Sequence, residues 1–327
     1  MNKAKISFNL LYAVAILLIS PVLFTSCLKD DSDYEKQVKI DDQIIQEYLT
    51  LNTISAQKHY SGIYYRKITE NNTGTSLTKN NVVSFYYTIN RIQPASSSSY
   101  FPDSGPIQSI SRANGDKPLQ FALLTNTMIP QGLDYGISLM KVGEKYQFFI
   151  PSYLAYGSYA CAFFPANSNF VVDIEVVGVN SETEIDEIQH DSIQNYVNVK
   201  YPVHQELASG LFFVDSLPGT GEKPGFGSIV EIDFTRKYLN ESIIKSVTGS
   251  TFHLDNMQAV KGLEEGLKQM KEGGRAIMIM PSKLGFDKSL SVVPQKARKE
   301  LLDDRLISAE VEPYSILKYV VKLNSAN

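Results

Sequence analysis

QGLDYGISLMKVGEKYQFFIPSYLAYG (Gln131–Gly157) and KGLEEGLKQMKEGGRAIMIMPSKLGFD (Lys261–Asp287) decide how this chain folds. Laid together, they keep Gly-Leu, a Gly three residues on, Met-Lys, a second Gly and Pro-Ser in one order, a pattern chance does not produce twice. Other matches extend outward from this pair. "IDDQIIQEYL" from Ile40 returns as "IDEIQHDSIQNYV" from Ile185, "SGIYY" at Ser61 as "SGLFF" at Ser209, and "VVSFYYT" ending at Thr88 as "IVEIDFT" ending at Thr235. The offset between copies is larger at Ser61/Ser209 than at Met140/Met270, so loops of unequal length separate the matched elements. The chain is a tandem repeat whose copies meet near Asn180–Ser181.

Each copy opens on a helix signal. Ser32-x-x-Glu35 and Ser181-x-x-Glu184 fit capping boxes, and apolar residues then recur at helical spacing, predicting helices over Glu35–Asn52 and Glu184–Asn198. Alternating strands follow, Val82–Tyr86 and Ile229–Phe234. A short helix fits Leu133–Met140 and Leu263–Lys271, stopped by Gly143 and Gly273. Apolar strands close each copy: Tyr146–Ile150 and Phe170–Val177, then Ala276–Met280 and Leu317–Leu323. This order predicts an α+β domain in which an antiparallel sheet wraps one helix.

The 327 residues carry a net charge of −4, which excludes a protein that works by neutralising nucleic-acid phosphates. Two cysteines exclude a disulfide scaffold and Cys-rich zinc sites. No His-Glu-x-x-His, no Gly-x-Ser-x-Gly elbow and no paired acidic dyad occurs. "GTGEKPGFG" (Gly219–Gly227) leads into a strand, whereas a phosphate cradle opens a helix, so it reads as a turn. Met1–Ser26 has the Lys-bearing start, apolar core and small-residue end of a secretory signal. Phe24-Thr25-Ser26-Cys27 resembles a bacterial lipobox, which implies a lipidated Cys27 and leaves Cys161 a free thiol; an uncleaved membrane anchor is the alternative. The Lys29-Asp30-Asp31 run resembles the export signal of Bacteroidetes-type lipoproteins. The expected location is the cell envelope, as an outer-membrane lipoprotein facing either the periplasm or the surface.

The ordered pattern Ile129-Pro130-Gln131-Gly132-Leu133, Gly136, Met140-Lys141-Val142-Gly143, Ile150-Pro151-Ser152 and Leu154-Ala155-Tyr156-Gly157, closing on Phe170–Glu175, strongly resembles FKBP-type peptidyl-prolyl isomerases. The resemblance implies two tandem FKBP-like domains, each an antiparallel half-barrel sheet around a short helix with an N-terminal helix before it. The expected organisation is a signal peptide over 1–26, a tether over 27–34, domain 1 over 35–180 and a divergent domain 2 over 181–327. It also implies prolyl-containing polypeptides as substrates, with no cofactor and no metal; the oligomeric state is left open.

Carried over residue by residue, the resemblance makes Tyr86, Asp103, Ile129 and Tyr156 the catalytic set in domain 1. Ile129 would contribute its backbone N–H and Tyr156 its hydroxyl. Phe101, Phe121, Met128, Leu133 and Val172 would line the prolyl pocket. In domain 2 Phe234 and Phe286 replace Tyr86 and Tyr156, Lys245 falls near the expected Asp, and Val260, Leu263 and Tyr319 remain as apolar lining. That domain is expected to be weak or inactive. Its long loop carries an amphipathic helix pattern over Lys296–Ile307, with Leu301, Leu302, Leu306 and Ile307 on the apolar face.

The chemistry asked of such a pocket forms no bond to substrate. Amide resonance opposes rotation about an Xaa-Pro bond by roughly 18–20 kcal/mol, so uncatalysed exchange takes on the order of 10–100 s. The planar amide carries more charge separation than the twisted one, and a dry apolar pocket therefore disfavours the planar form more. A ten-thousandfold acceleration requires only about 5.5 kcal/mol. The expected function is an extracytoplasmic, lipid-anchored isomerase or folding helper acting through domain 1. The rival is a non-catalytic lipoprotein that uses the same clefts to hold unfolded segments.

Overall fold

The computed structural model describes residues 32–93 and 105–327. Cys27 and the expected leader lie outside the described residues, as do Phe101 and Asp103. Helix α1 (Asp33–Leu51) opens domain 1, its N-terminus closed by the Ser32/Glu35 capping box. Behind it come β1 (Gln57–Lys58), β2 (Tyr64–Thr69), β3 (Val82–Ile92), β4 (Gln108–Ile110), β5 (Leu119–Ala122) and the short β6 (Met128–Ile129). Helix α2 (Gln131–Ile137), β7 (Lys145–Ile150) and β8 (Asn169–Asn180) complete the domain. The sheet runs β1-β2-β7-β8-β3-β4, with β5 also on β3, and every pairing is antiparallel.

Domain 2 repeats the plan with α3 (Glu182–Lys200), β9 (Gln205–Glu206), β10 (Phe212–Leu217), β11 (Ile229–Tyr238), β12 (Ile243–His253), α4 (Lys261–Leu267) and β13 (Arg275–Met280). Next come β14 (Ser291–Val292), α5 (Arg298–Asp303) and β15 (Leu317–Ala326). Its sheet runs β12-β11-β15-β13-β10-β9.

Two contacts recur in both copies. The opening helix lies on the convex face of its sheet: Ile45 and Leu49 pack with Tyr64, Phe149 and Val171, and Ile193 and Val197 pack with Phe212 and Ile279. The short helix lies inside the curl, close on the following strand. A Cβ at Gly136 would sit 2.8 Å from Phe148 Cδ1, and one at Gly266 would collide with Met278 Sδ. Only glycine permits that approach, which explains why this Gly survives in both copies.

The Lys296–Ile307 helix is shorter than its pattern predicts. A 3-10 turn (Gln295–Ala297) leads into α5, which ends at Asp303, and Leu306 is exposed. Of the predicted apolar face Leu301 is fully buried, and its partners belong to domain 1: Val292, Val293, Ala297 and Leu301 join the domain 1 core rather than that of domain 2.

Candidate functional site

The cleft of domain 1 is built from three elements. β3 contributes Tyr87 from the concave face of the sheet, α2 contributes Leu133 at its floor, and the loop after β7 contributes Tyr156. Leu133, Phe121, Val172 and Met128 are buried in the core beneath the cleft. Tyr156 is braced by Phe164, with ring centroids 4.6 Å apart, and by Phe170 edge-on at 6.0 Å. Burial pushes its phenol well above the ordinary tyrosine range, so it stays a neutral donor.

The cleft holds a segment of domain 2. Ser291–Val292 adds a parallel strand to Met128–Ile129, with Ser291 N–H donating to Thr127 O and Val293 N–H to Ile129 O, both at 2.8 Å. The Tyr156 hydroxyl donates to Val293 O at 2.8 Å. Val293 precedes Pro294, so this oxygen is the carbonyl of a prolyl amide; that peptide bond is cis. Gln295 N–H then donates to Tyr87 Oη at 3.1 Å and Lys296 N–H to Gln108 Oε1 at 3.2 Å. Val292, Val293 and Ala297 have no exposed surface.

One assignment changes. Tyr86 does not reach the cleft: its hydroxyl donates to Asp116 O at 3.2 Å and its ring lies beneath the Arg112 guanidinium, on the convex side. Successive strand side chains alternate faces, and it is Val83, Phe85, Tyr87 and Ile89 that enter the core. Ile129 faces Val292 in the parallel pairing, its carbonyl accepting from Val293 N–H at 2.8 Å and its own N–H directed at Ser291 O. Two residues not singled out from the sequence touch the docked backbone, Tyr87 and Gln108. Tyr87 was legible: Thr88 and Thr235 end the matched strands, which sets Phe234 opposite Tyr87 rather than Tyr86. Gln108 had no such signal, since no motif residue flanks it. Cys161 is a half-buried free thiol whose pKa is raised by burial.

Domain 2 fills the equivalent space with its own side chains. The Arg236 guanidinium stacks 4.7 Å from the Phe286 ring centroid, lies 6.0 Å from that of Tyr319 and pairs with Glu310. Lys245, expected near the Asp position, also binds Glu310, at 2.6 Å. Leu263, Tyr319 and Phe234 are buried around this ion pair. An Xaa-Pro segment entering here would strand a buried charge, a penalty of several kcal/mol.

A half-barrel curled over a short helix, repeated once, whose first copy encloses the chain's own Val293-Pro294 segment in an aromatic cleft, defines the class of fold. The family model described as FKBP-type peptidyl-prolyl cis-trans isomerase matches residues 75–177 and again 220–324, more than half of the chain, and the chain belongs to that family. It is 43% identical over 63 residues to the FKBP-type peptidyl-prolyl cis-trans isomerase FkpA of Aeromonas hydrophila, covering 19% of this chain and 22% of that one. It is 38% identical over 73 residues to FK506-binding protein 2 of Yarrowia lipolytica, covering 22% and 50%. The matched stretches thus span between 22% and 57% of the curated relatives' lengths. Among solved structures, Escherichia coli FkpA aligns over 55% of this chain and 76% of its own at 23% identity and a TM-score of 0.35. The three FKBP domains of wheat FKBP73 align over 84% and 99% at 16% identity and a TM-score of 0.31.

Proposed function

We propose that the chain is a peptidyl-prolyl cis-trans isomerase and folding helper of the cell envelope, anchored through a lipid on Cys27, with its activity in domain 1. The observation that carries this reading is the Tyr156 hydroxyl on the carbonyl oxygen of the residue before Pro294, inside an apolar enclosure. A bond to that oxygen fixes the acyl half of the amide while the prolyl nitrogen is free to pyramidalise and turn. The hydrogen bond itself favours the charge-separated planar amide, so Tyr156 is a positioning donor and the dry aromatic wall supplies the preference for the twisted form. Domain 2 lacks this arrangement, and buried Arg236, paired with the half-buried Glu310, occupies its space; its role is structural support and presentation of the segment docked in domain 1.

An Xaa-Pro exchange assay on the full chain tests the reading, with Val293→Asp included so that the cleft is open to added peptide. Acceleration of a Val-Pro tetrapeptide is expected, and adding Tyr156→Phe lowers kcat/KM by about fivefold, the effect of one neutral hydrogen bond worth about 1 kcal/mol. No acceleration by the opened chain refutes the catalytic reading. Anchoring is tested by Cys27→Ser, which is expected to move the protein from the membrane to the soluble fraction of the cell envelope.

A further inference from the structure

Domain 2 departs from domain 1 most strongly in one connection. Where domain 1 passes from Gly157 to Ser168 before its last strand, domain 2 passes from Asp287 to Ile316. The first half of this connection adds little to the domain that encodes it, because Val292, Val293, Ala297 and Leu301 belong to the neighbouring core, whereas Val311 returns to its own. It is nonetheless a built object. Arg298, itself buried, donates to Leu290 O at 2.6 Å, to Ala309 O at 2.8 Å and to both carboxylate oxygens of Glu312. One guanidinium therefore ties the two feet of the loop together and presents Ser291–Ala297 as a fixed strap.

The strap meets domain 1 as a peptide ligand would. It pairs with β6 as a two-stranded parallel ribbon through main-chain hydrogen bonds, which are indifferent to sequence, and buries Val292, Val293 and Pro294, which are not. The carbonyl of Val293, the residue before Pro294, accepts from the Tyr156 hydroxyl. Outside the cleft Ala162 N–H donates to Glu300, Tyr159 to Asp304, and Lys296 lies 4.4 Å from the Phe163 ring centroid. We propose that the Ser291–Ala297 strap is a tethered competitor of domain 1, which closes the cleft to clients until they displace it. We further infer that its sequence reports the client class: extended segments with β-branched aliphatic residues directly before proline. The proposal rests on the isomerase reading for what the cleft does, but not for what fills it.

Tethering sets the strength of the closure. An effective concentration on the order of 1 mM against a free-peptide Kd of about 10 μM would leave the cleft open in only ~1% of molecules. Clients then compete by abundance, so activity rises where unfolded prolyl segments accumulate.

The experiment uses the full chain, as wild type and as two independent strap variants, Val293→Asp and Ala297→Asp, each verified as folded by domain 2 amide protection. Binding of a labelled peptide with the sequence Leu290–Lys296 is measured alongside the exchange of a Val-Pro tetrapeptide. Both variants are expected to bind the peptide at least tenfold more tightly than wild type and to exchange the tetrapeptide at least tenfold faster. Tighter binding with no exchange in any protein keeps the tethered ligand and removes the isomerase. Equal peptide binding by wild type and both variants overturns the proposal.

Discussion

Asp41 has no exposed surface, and both of its carboxylate oxygens are engaged: Oδ2 accepts from Ser152 Oγ at 2.6 Å and Oδ1 from Gln37 Nε2 at 2.8 Å. Ser152 begins the turn that ends at Tyr156, so α1 reaches through this carboxylate to the loop that carries the cleft's hydroxyl. In domain 2 Gln189 holds the same place, accepting from Ser282 N–H at 2.7 Å and donating to Tyr314 O at 2.8 Å. Asp41→Ala leaves a buried hydroxyl without its acceptor and is expected to cost about 1–3 kcal/mol of domain 1 stability. Denaturant unfolding checks this; Asp41→Asn, which keeps an acceptor, should recover part of the loss. The residue scale is also where the sequence misled. Tyr86 and Tyr87 are adjacent and chemically identical, and a one-residue slip exchanges the faces of a strand. The ladder between β3 and β8 shifts register between Ser84 and Phe85, but the extra residue, Val177, belongs to β8, so β3 keeps its alternation and Val83, Phe85, Tyr87 and Ile89 share the inward face.

At the scale of elements, the parts with local signals were readable: both capping boxes, both short helices beneath their glycines and the closing strands of each copy. The strap was not, because its apolar pattern states that a face will be buried without stating against which domain. Local charge is equally silent about α3, which is tied to its sheet by a network no motif announces. Lys318 on β15, fully buried, donates to Glu241 and, at 3.1 Å, to the Tyr196 hydroxyl on α3, which itself donates to Glu241 at 2.7 Å. The Lys318 ammonium holds the Glu241 carboxyl down to about 2, against an ordinary value of 4.5, and burial pushes the Tyr196 phenol up to about 12. A depressed carboxyl contributes stability that is complete above its unfolded pKa and lost as pH falls through its folded one. Domain 2 is therefore expected to weaken between about pH 4.5 and 2, and Glu241→Gln to flatten that acid limb while lowering stability at pH 7. Acid titration of unfolding midpoints reads both effects. An identical slope in the variant would remove Glu241 from the account.

At the scale of the whole molecule, two junctions hold the domains together among the described residues. One is small and apolar, Val82 and Ala122 of domain 1 against Ile185 and Tyr314 of domain 2; the other is the strap. A ligand that binds only the folded state stabilises it by mass action, by about 2.7 kcal/mol when present at a hundred times its Kd, and a tethered segment obeys the same arithmetic. Opening the strap with Val293→Asp should thus lower the melting temperature of domain 1 by roughly 5–10 °C, using about 2–4 °C per kcal/mol for a domain of about 150 residues. Domain 2, whose own core contains none of Val292, Val293, Ala297 or Leu301, should hold its midpoint. Amide exchange resolved by peptide separates the two: protection falls in β3, β6 and β8 while β11, β13 and β15 keep theirs. Saturating the opened protein with the Leu290–Lys296 peptide should then restore domain 1. Destabilisation shared equally by both domains would mean instead that residues 291–301 are an ordinary interdomain wedge, whose loss loosens the whole chain.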